Sequence, residues 1–434
     1  MKEPVYFLKL ELENVRCFGE KAVLDLSDGN GNWKRWTVVL GDNGMGKTTL
    51  LQCLAGLGNF ETENNNFDKN NNDVKTSSIN YFRNYNFDIK GLSTSEKSEI
   101  YLFLNTNNFI SSILSNISYR QIEANSGIYT YINSHHFHSL QCYGYGASRF
   151  MSSHSLTESK FDNSETLFND DAKLVNAEEW LLQLDYAASK ESEIKDFAER
   201  KRNQVKEILI GLLPDVEEIR FTTPTKENLK SSVEFKTPFG WVTIHQLSLG
   251  YKTMVAWMVD LAARMFERYP DSDNPLTEPA IVLVDEIDLH LHPKWQRKIF
   301  DYLSEKFPAT QFIVTAHSPL IVQSAPKNAN IVVLKKEGDH VVIDNNIQSV
   351  YNWRLDQIMS SDLFNESVRR PEVEKWLKER TDLLQKETLS EDEKIRLTEL
   401  NEKAHHLPTA DRQEDIEAMD IIRKAADYLK SQKA

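Results

Sequence analysis

The sequence predicts a mixed α/β fold built on a parallel sheet, with a helical lobe and a small α-helical appendage towards the carboxyl end. Short runs at 36–40, 280–284 and 311–315 are apolar and rich in β-branched residues, which is typical of strands buried on both faces. Helical patterns at 48–57 and 293–306 follow two of these runs. Strands that alternate with helices in this way favour a parallel sheet.

The other elements follow from the patterning along the chain. Residues 5–12 and 22–26 alternate between apolar and polar side chains, which predicts two half-buried strands. The charged helical pattern of 175–212 ends before Pro214, which has no N–H with which to continue a helix. Further strands are predicted near 99–104, 138–145, 216–222 and 232–244, and a further helix at 250–268.

Two polar segments interrupt this plan. Residues 59–80 are rich in asparagine and have little to bury, so we expect a surface insertion. From about 355 the chain is polar and helical: Pro371 can begin one helix, and the S-x-x-E capping box at Ser390 begins a second. A third helix is expected at 413–431.

These shifts in pattern predict four segments. The first carries the initial strands and the insertion, the second the helical lobe and its connecting strands, the third the later strands of the parallel sheet, and the fourth the helical appendage. Their expected bounds are 1–150, 151–245, 246–354 and 355–434.

Composition excludes several classes of protein. Hydrophobic residues make up 40% and charged residues 27% of the chain, which excludes full disorder. The net charge of −14 means that nucleic acid would be contacted only through a local basic patch or indirectly through a partner. The three cysteines form neither a disulfide framework nor a CxxC zinc site, and no signal peptide or membrane span is evident. We therefore expect a soluble cytoplasmic protein without a membrane partner.

The first motif that carries chemistry is the glycine-rich loop at 41–48. It reads Gly-Asp-Asn-Gly-Met-Gly-Lys-Thr and fits G-x-x-x-x-G-K-[ST] between a strand and a helix, which is the context that this motif requires. Its backbone N–H groups and the helix N-terminus favour phosphate oxygens, Lys47 is expected to reach the β- and γ-phosphates, and the Thr48 hydroxyl to coordinate Mg²⁺. The loop therefore predicts ATP and Mg²⁺ as cofactors, with contacts from Asn43, Gly44, Met45, Gly46, Lys47, Thr48 and Thr49.

The second motif is the run Ile-Val-Leu-Val-Asp-Glu at 281–286. Four apolar residues followed by two acids indicate a buried strand that delivers carboxylates to its carboxyl edge. Asp285 is expected to hold the Mg²⁺ shell, and Glu286 to polarise the attacking water as a general base. Many strands end in acids, so this motif gains its specificity from the phosphate-binding loop.

Two further motifs lie near predicted element ends. Ser248 and Gly250, in Leu-Ser-Leu-Gly-Tyr-Lys, can offer hydroxyl and amide donors to an anion at a helix N-terminus, although an ordinary N-cap is the alternative. His317 ends the later apolar strand, from which it can donate to the γ-phosphate or to the attacking water.

In this order the motifs resemble those of ATP-binding-cassette ATPases of the SMC and RecF type, over most of 5–335. The stretch Asn-Val-Arg-Cys-Phe at 14–18 is similar to the N-x-R-x-F motif of that group, and Asp288 lies where the family has its D-loop. The resemblance implies an ABC-ATPase P-loop nucleotide-binding domain. It also implies a homodimer or higher homo-oligomer with composite ATP sites, in which Ser248 and Gly250 cap the nucleotide of a partner copy and Asp288 contributes.

More narrowly, Asp-Glu-Ile-Asp-Leu-His-Leu-His-Pro-Lys-Trp-Gln, the His317 strand and the helical tail resemble the PtuA-like ATPases of the Septu and retron-associated anti-phage systems. That resemblance implies a nucleotide-dependent switch with a separate HNH-type nuclease, for which the tail is a candidate docking element. A tail that packs on the core or forms the homo-oligomer is the alternative. The competing function is an SMC/RecF-like DNA repair or recombination ATPase. A fused nuclease is not expected, because the residues after His317 hold no D-x-D on an apolar strand.

Two features leave alternatives open. The family usually has a glutamine at the end of the strand that enters the helical lobe, but Gln141 lies early in this strand; Arg149 could replace part of its role or be structural. His290 and His292 could suggest a metal site with Asp285; residues two apart do not face together on a helix, although they could in an extended segment. The resemblance places both histidines just past the D-loop, which implies a structural and dimer-contact role instead.

Overall fold

The computed structural model describes residues 4–19, 21–58, 74–75, 99–106, 117–124, 127–132, 142–153, 155, 163–226, 229–346, 350, 353–361, 363–364, 369–386 and 389–405. The chain forms two compact units, Met1–Ile358 and Met359–Ala434. Among the described helices, none is long and apolar enough to cross a membrane.

In chain order, the described strands are β1 (Val5–Glu13), β2 (Ala22–Asp25), β3 (Trp36–Leu40), β4 (Val74–Lys75), β5 (Glu99–Thr106), β6 (Ile117–Ala124), β7 (Gly127–Ile132), β8 (Cys142–Tyr145), β9 (Glu218–Thr222), β10 (Ser232–Thr237), β11 (Gly240–Thr243), β12 (Ala280–Val284), β13 (Thr310–Thr315), β14 (Asn330–Glu337) and β15 (His340–Asp344). The described α-helices are α1 (Lys47–Gly58), α2 (Ala177–Ser189), α3 (Lys195–Leu212), α4 (Leu249–Arg268), α5 (Pro293–Gln296), α6 (Ile299–Lys306), α7 (Pro319–Ser324), α8 (Leu355–Met359), α9 (Pro371–Leu384) and α10 (Glu391–His405).

The first unit is built on a six-stranded sheet with the order β15-β14-β3-β13-β12-β8. Its pairs are parallel except for β14 with β15, which are antiparallel. Every residue of β3, β12 and β13 is buried, as expected for strands covered on both faces. This sheet confirms the predicted α/β fold, and it brings the carboxyl ends of β3, β12 and β13 to one edge.

A second six-stranded sheet has the order β2-β1-β5-β6-β7-β4, with antiparallel pairs throughout its described strands. Leu50 and Leu54 of α1 share one buried apolar cluster with Phe7 of β1 and with Ile313 of β13. Helix α1 is therefore packed between the two sheets. The burial of these apolar side chains holds in place the helix that follows the glycine-rich loop.

Three predicted elements are each divided in the structure. The segment 175–212 forms α2 and α3, because the backbone becomes extended at Lys190. The segment 232–244 is a hairpin of β10 and β11 that turns at Gly240, whose φ of +114° favours glycine. The segment 293–306 forms α5 and α6. Strands β6, β7, β14 and β15 are not among those that the sequence predicts.

The second unit contains the first two of the three helices that the tail pattern predicts. Helix α9 begins at Pro371, and α10 follows a complete capping box. The Ser390 N–H donates to the Glu393 carboxylate at 2.9 Å, and the Glu393 N–H donates to the Ser390 hydroxyl at 3.3 Å. Arg396 of α10 contacts both carboxylate oxygens of Glu379 in α9, at 2.8 and 3.0 Å.

Several expectations fall outside the described residues. They are the third tail helix at 413–431, nearly all of the Asn-rich insertion at 59–80, and the position of Gln141.

A buried acid connects α4 to the parallel sheet. The Asp260 carboxylate accepts hydrogen bonds from the Tyr145 hydroxyl at 3.0 Å and from the Val175 N–H at 3.1 Å. It also pairs with Arg264, whose Nε donates to it at 2.6 Å. Asp260 is 1% exposed, so the pair is shielded from solvent. The Arg264 guanidinium therefore depends on the negative charge of Asp260, and not only on the shape of that side chain.

We predict that Asp260→Asn lowers the free energy of unfolding by about 3–5 kcal/mol, because it leaves the buried Arg264 guanidinium without its counter-charge. The matched control is Asp185→Asn, which breaks a partly exposed pair with Arg202 and is expected to cost about 0–1 kcal/mol. Denaturant unfolding of the full chain measures both. Equal losses in the two variants would contradict the role given to Asp260.

Candidate nucleotide-binding site

The glycine-rich loop turns from β3 into α1 through backbone conformations that glycine favours. Gly44 and Gly46 have φ values of +81° and +87°. A Cβ on Gly46 would lie 2.6 Å from the Cys17 Sγ, so this position also lacks room for a side chain. The Lys47 ammonium is buried and donates to the carbonyl oxygens of Gly41 at 2.7 Å and Asp42 at 2.9 Å. The lysine therefore lies folded against its own loop, with its charged end at the loop's centre.

The Asp285 carboxylate stands at the carboxyl end of β12, and both of its oxygens are held. The Thr48 hydroxyl donates to Oδ2 at 2.6 Å, and the Thr315 hydroxyl donates to Oδ1 at 2.5 Å. This pairing of a hydroxyl and a carboxylate supplies the hard oxygen ligands that Mg²⁺ takes from proteins. The donor set of Thr48 and Asp285 therefore fits the predicted Mg²⁺ site.

Opposite charges lie close together in this region. Burial lowers the pKa of the Lys47 ammonium, and the carboxylates of Asp285 and Glu286 oppose that shift. One positive charge and two negative charges therefore lie in a pocket that is partly shielded from solvent. Such a group is suited to an anion and a divalent cation bound together.

A buried guanidinium holds the turn that follows β12. Arg149, 1% exposed, donates to the carbonyl oxygens of Gly146 at 2.9 Å and Glu286 at 3.0 Å, and also to that of Asp285. Burial lowers the pKa of Arg149 to about 10, against the effect of the nearby carboxylates. Glu286 itself has a φ of +47°, a strained conformation for a side chain of this size. Of the two roles left open for Arg149, these contacts favour the structural one, in which it positions backbone.

Most of the predicted site residues line one cavity of about 360 Å³. The cavity lies where the glycine-rich loop meets the ends of β12 and β13. Its lining includes Asn43, Gly44, Gly46, Lys47, Thr48, Thr49, Asp285, Glu286 and His317. The structure thus brings together residues that are up to 274 positions apart in the chain.

Four predicted site residues lie elsewhere. Met45 packs against the apolar cluster around α1. Ser248 is the N-cap of α4 and accepts from the Tyr251 N–H at 3.4 Å. A Cβ on Gly250 would come within 2.3 Å of the His290 carbonyl oxygen. Asp288 accepts from the His317 N–H at 3.1 Å, and none of the four lines the cavity.

The two histidines after β12 have structural surroundings. His292 is the N-cap of α5, and its Nδ1 accepts from the Lys294 N–H at 3.2 Å. His290 has a φ of +64° and presents its carbonyl to Gly250. Among the described residues, no three His, Cys, Asp or Glu side chains form a metal-binding group.

Sequence reasoning missed three residues of this site. Arg16 and Cys17 line the cavity, and the Arg16 guanidinium donates to Gln52 at 3.2 Å. The only signal for them was the Asn-Val-Arg-Cys-Phe stretch. Thr315 bonds both to Asp285 and to the Glu286 N–H, the latter at 2.7 Å. Nothing local to Thr315 predicts either contact.

The chain is similar in sequence to several known proteins. The chain is 25% identical over 385 residues to the Septu protein PtuA of Bacillus mycoides, a match that covers 83% of this chain and 46% of that protein. It is 37% identical over 134 residues to the retron Vc95 probable ATPase of Vibrio cholerae, which covers 30% of this chain and 25% of that protein. The chain spans less than half the length of these curated relatives.

Among solved structures, the Smc head domain of Pyrococcus yayanosii matches with 13% identity and a TM-score of 0.47, and it covers 82% of this chain and 98% of that one. Residues 36–323 match the family described as "AAA domain, putative AbiEii toxin, Type IV TA system". Since that match includes more than half of the residues, the chain belongs to this family of AAA domains.

Proposed function

We propose that this chain binds ATP with Mg²⁺ and hydrolyses it. The observation that carries the proposal is the 2.6 Å hydrogen bond between the Thr48 hydroxyl and the Asp285 carboxylate. It joins the helix that begins at the glycine-rich loop to the acidic strand end, in a cavity that Glu286 and His317 also line. A P-loop, a strand-end carboxylate and a second acid at one edge are the parts that nucleotide hydrolysis requires.

The proposed roles follow from position in that cavity. The loop N–H groups of 43–49 and the Lys47 ammonium bind phosphate oxygens, for which Lys47 must leave the carbonyls of its own loop. Thr48 and Asp285 hold Mg²⁺, which neutralises charge on the phosphates when bound. Glu286 takes the proton of the attacking water, and His317 donates towards the γ-phosphate.

The proposed site is composite, formed by a head-to-tail pair of chains or a larger homo-oligomer. Ser248 is exposed at the N-terminus of α4, and it does not line the cavity of its own chain. Asp288 Oδ1 is buried yet has no hydrogen-bond partner among the described residues. We infer that Ser248, Gly250 and Asp288 act on a nucleotide held between two copies.

We further propose that nucleotide binding acts as a switch in an anti-phage defence complex with a separate HNH-type nuclease. The similarity to the Septu protein PtuA and to a retron probable ATPase supports a defence setting. The proposed place of action is the cytoplasm, where the free thiols of Cys17, Cys53 and Cys142 would stay reduced. The second unit is the proposed docking element, with exposed apolar side chains at Leu384 and Ile395.

Glu286→Gln is expected to bind ATP but to hydrolyse it about 10²- to 10⁴-fold more slowly, because it removes the base and leaves the phosphate contacts in place. Steady-state phosphate release and nucleotide titration measure the two effects. Glu305→Gln, an exposed change on α6, serves as the control. Hydrolysis near the native rate in Glu286→Gln would assign the base to another residue.

Mixing Lys47→Ala chains with Ser248→Arg chains tests the composite site. Each variant alone is expected to be inactive, because one lacks the phosphate lysine and the other blocks the capping serine. A mixed dimer contains one intact site, so a random mixture should recover about a quarter of the native rate. Two separate preparations of Lys47→Ala, mixed together, control for re-assembly. If the mixture recovers no activity, the composite site is wrong.

Deletion of 371–434 is expected to leave a folded, ATP-hydrolysing chain that no longer co-purifies with its partner nuclease, because the cavity residues all precede this segment. The matched point variant is Ile395→Glu, which charges an exposed position on α10 without removing the helix. Precipitation of the deletion variant, or its conversion to a monomer, would instead place the tail in the core or in the homo-oligomer.

A further inference from the structure

A second and larger cavity lies where α2 and α3 of the helical lobe meet α4. Its volume is about 950 Å³, and no residue that lines it also lines the nucleotide cavity. Residues from α2, α3 and α4 form its wall, together with Tyr143 of β8. Ligand cavities in proteins have volumes of about 300–1,000 Å³, so this one is large enough for an organic molecule.

The charged centre of this cavity is Lys201 of α3. The residue is 7% exposed, and its ammonium lies 3.7 Å from the ring centre of Phe197 and 4.8 Å from that of Phe266. Its hydrogen bond is a long one, 3.4 Å to the Phe266 carbonyl oxygen. Within the described part of the chain, no carboxylate lies at ion-pairing distance from it. Two aromatic faces and one weak acceptor thus hold a full positive charge.

The neighbouring acid does not neutralise this lysine. The Asp260 carboxylate is already occupied by the Arg264 guanidinium, at 2.6 Å, and by Tyr145 and Val175. The remaining charged residues of the lining are Glu267 and Arg268 of α4. Lys201, Arg264 and Arg268 therefore outnumber Asp260 and Glu267 by one positive charge.

A buried ammonium without a counter-charge costs folding free energy. Burial lowers the pKa of Lys201 from 10.5 to about 8, so the group is still mainly protonated at neutral pH. A methionine would bury a stem of similar length without this cost. The Lys201 charge therefore lowers the stability of the fold, and an anion placed beside it would reduce that cost.

We propose that this cavity binds a small planar organic anion, whose carboxylate or phosphate pairs with Lys201 and whose ring system lies among Trp180, Phe197 and Phe266. Trp180 and Phe266 contact each other, with ring centres 6.0 Å apart, and form a continuous apolar wall against which the body of the ligand would pack. The cavity is separate from the nucleotide cavity, so this proposal does not depend on ATP hydrolysis.

Calorimetric titration of the full chain with 2-naphthoate and with 2-naphthyl phosphate tests the proposal. A non-hydrolysable ATP analogue and Mg²⁺ are present at saturation throughout, so that they occupy the nucleotide cavity without releasing the heat of hydrolysis. We expect saturable binding of at least one probe at one site per chain, and weaker binding of the uncharged 2-naphthamide. The stronger of the two anionic probes indicates whether carboxylate or phosphate is the preferred group.

Lys201→Met is expected to weaken binding by about tenfold to a hundredfold, because it removes one hydrogen bond between charged groups. The thermal stability of the variant should not fall. Lys201→Arg keeps the charge and should retain part of the affinity. Lys206→Met on the same helix is the control, because Lys206 lies near Phe221 and outside the cavity. Equal affinity in native protein and Lys201→Met, or no saturable binding of either anionic probe, would overturn the proposal.

Discussion

The Asp285 carboxylate is the point on which the candidate nucleotide site depends. Its oxygens accept hydrogen bonds from the Thr48 hydroxyl at the start of α1 and from the Thr315 hydroxyl at the end of β13. The carboxylate therefore connects three elements at one sheet edge. Parallel pairing of β12 with β13 places those ends side by side, and α1 is held by apolar packing between the two sheets. The oxygen donors are therefore positioned before any ligand arrives, which lowers the cost of binding a hard cation.

The buried Arg149 guanidinium is a second constraint on this site. Arg149 has no access to the nucleotide cavity, yet its guanidinium binds the carbonyls of Asp285 and Glu286. The positive φ of Glu286 is an unfavourable conformation for a bulky side chain, and a buried cation that holds both flanking carbonyls can maintain it. The local strain at the proposed general base is thus supported from the interior of the protein.

Helix α4 joins the proposed capping residues to the larger cavity. Ser248 is its N-cap and Gly250 lies in its first turn, and its second half supplies Asp260, Arg264 and Phe266 to that cavity. Asp260 also accepts from Tyr145, whose carbonyl accepts from the Asp285 N–H at 2.8 Å. The same helix is therefore coupled to the acidic strand through hydrogen bonds that solvent does not reach.

Local features of the sequence determined the phosphate-binding loop, the acidic strand end and the capping box at Ser390, because glycine conformations, strand ends and helix caps depend on residues within a few positions of one another. The tertiary structure decided which contacts hold these local features in place. Thr315 and Asp285 are 30 residues apart, and Arg149 and Asp285 are 136 apart, so neither contact has a local signal. The same holds for the burial of Lys201, which in the sequence is one charge among many on an amphipathic helix. Pairing and burial over such distances are set by how the whole chain packs, and that packing is not encoded in any short segment.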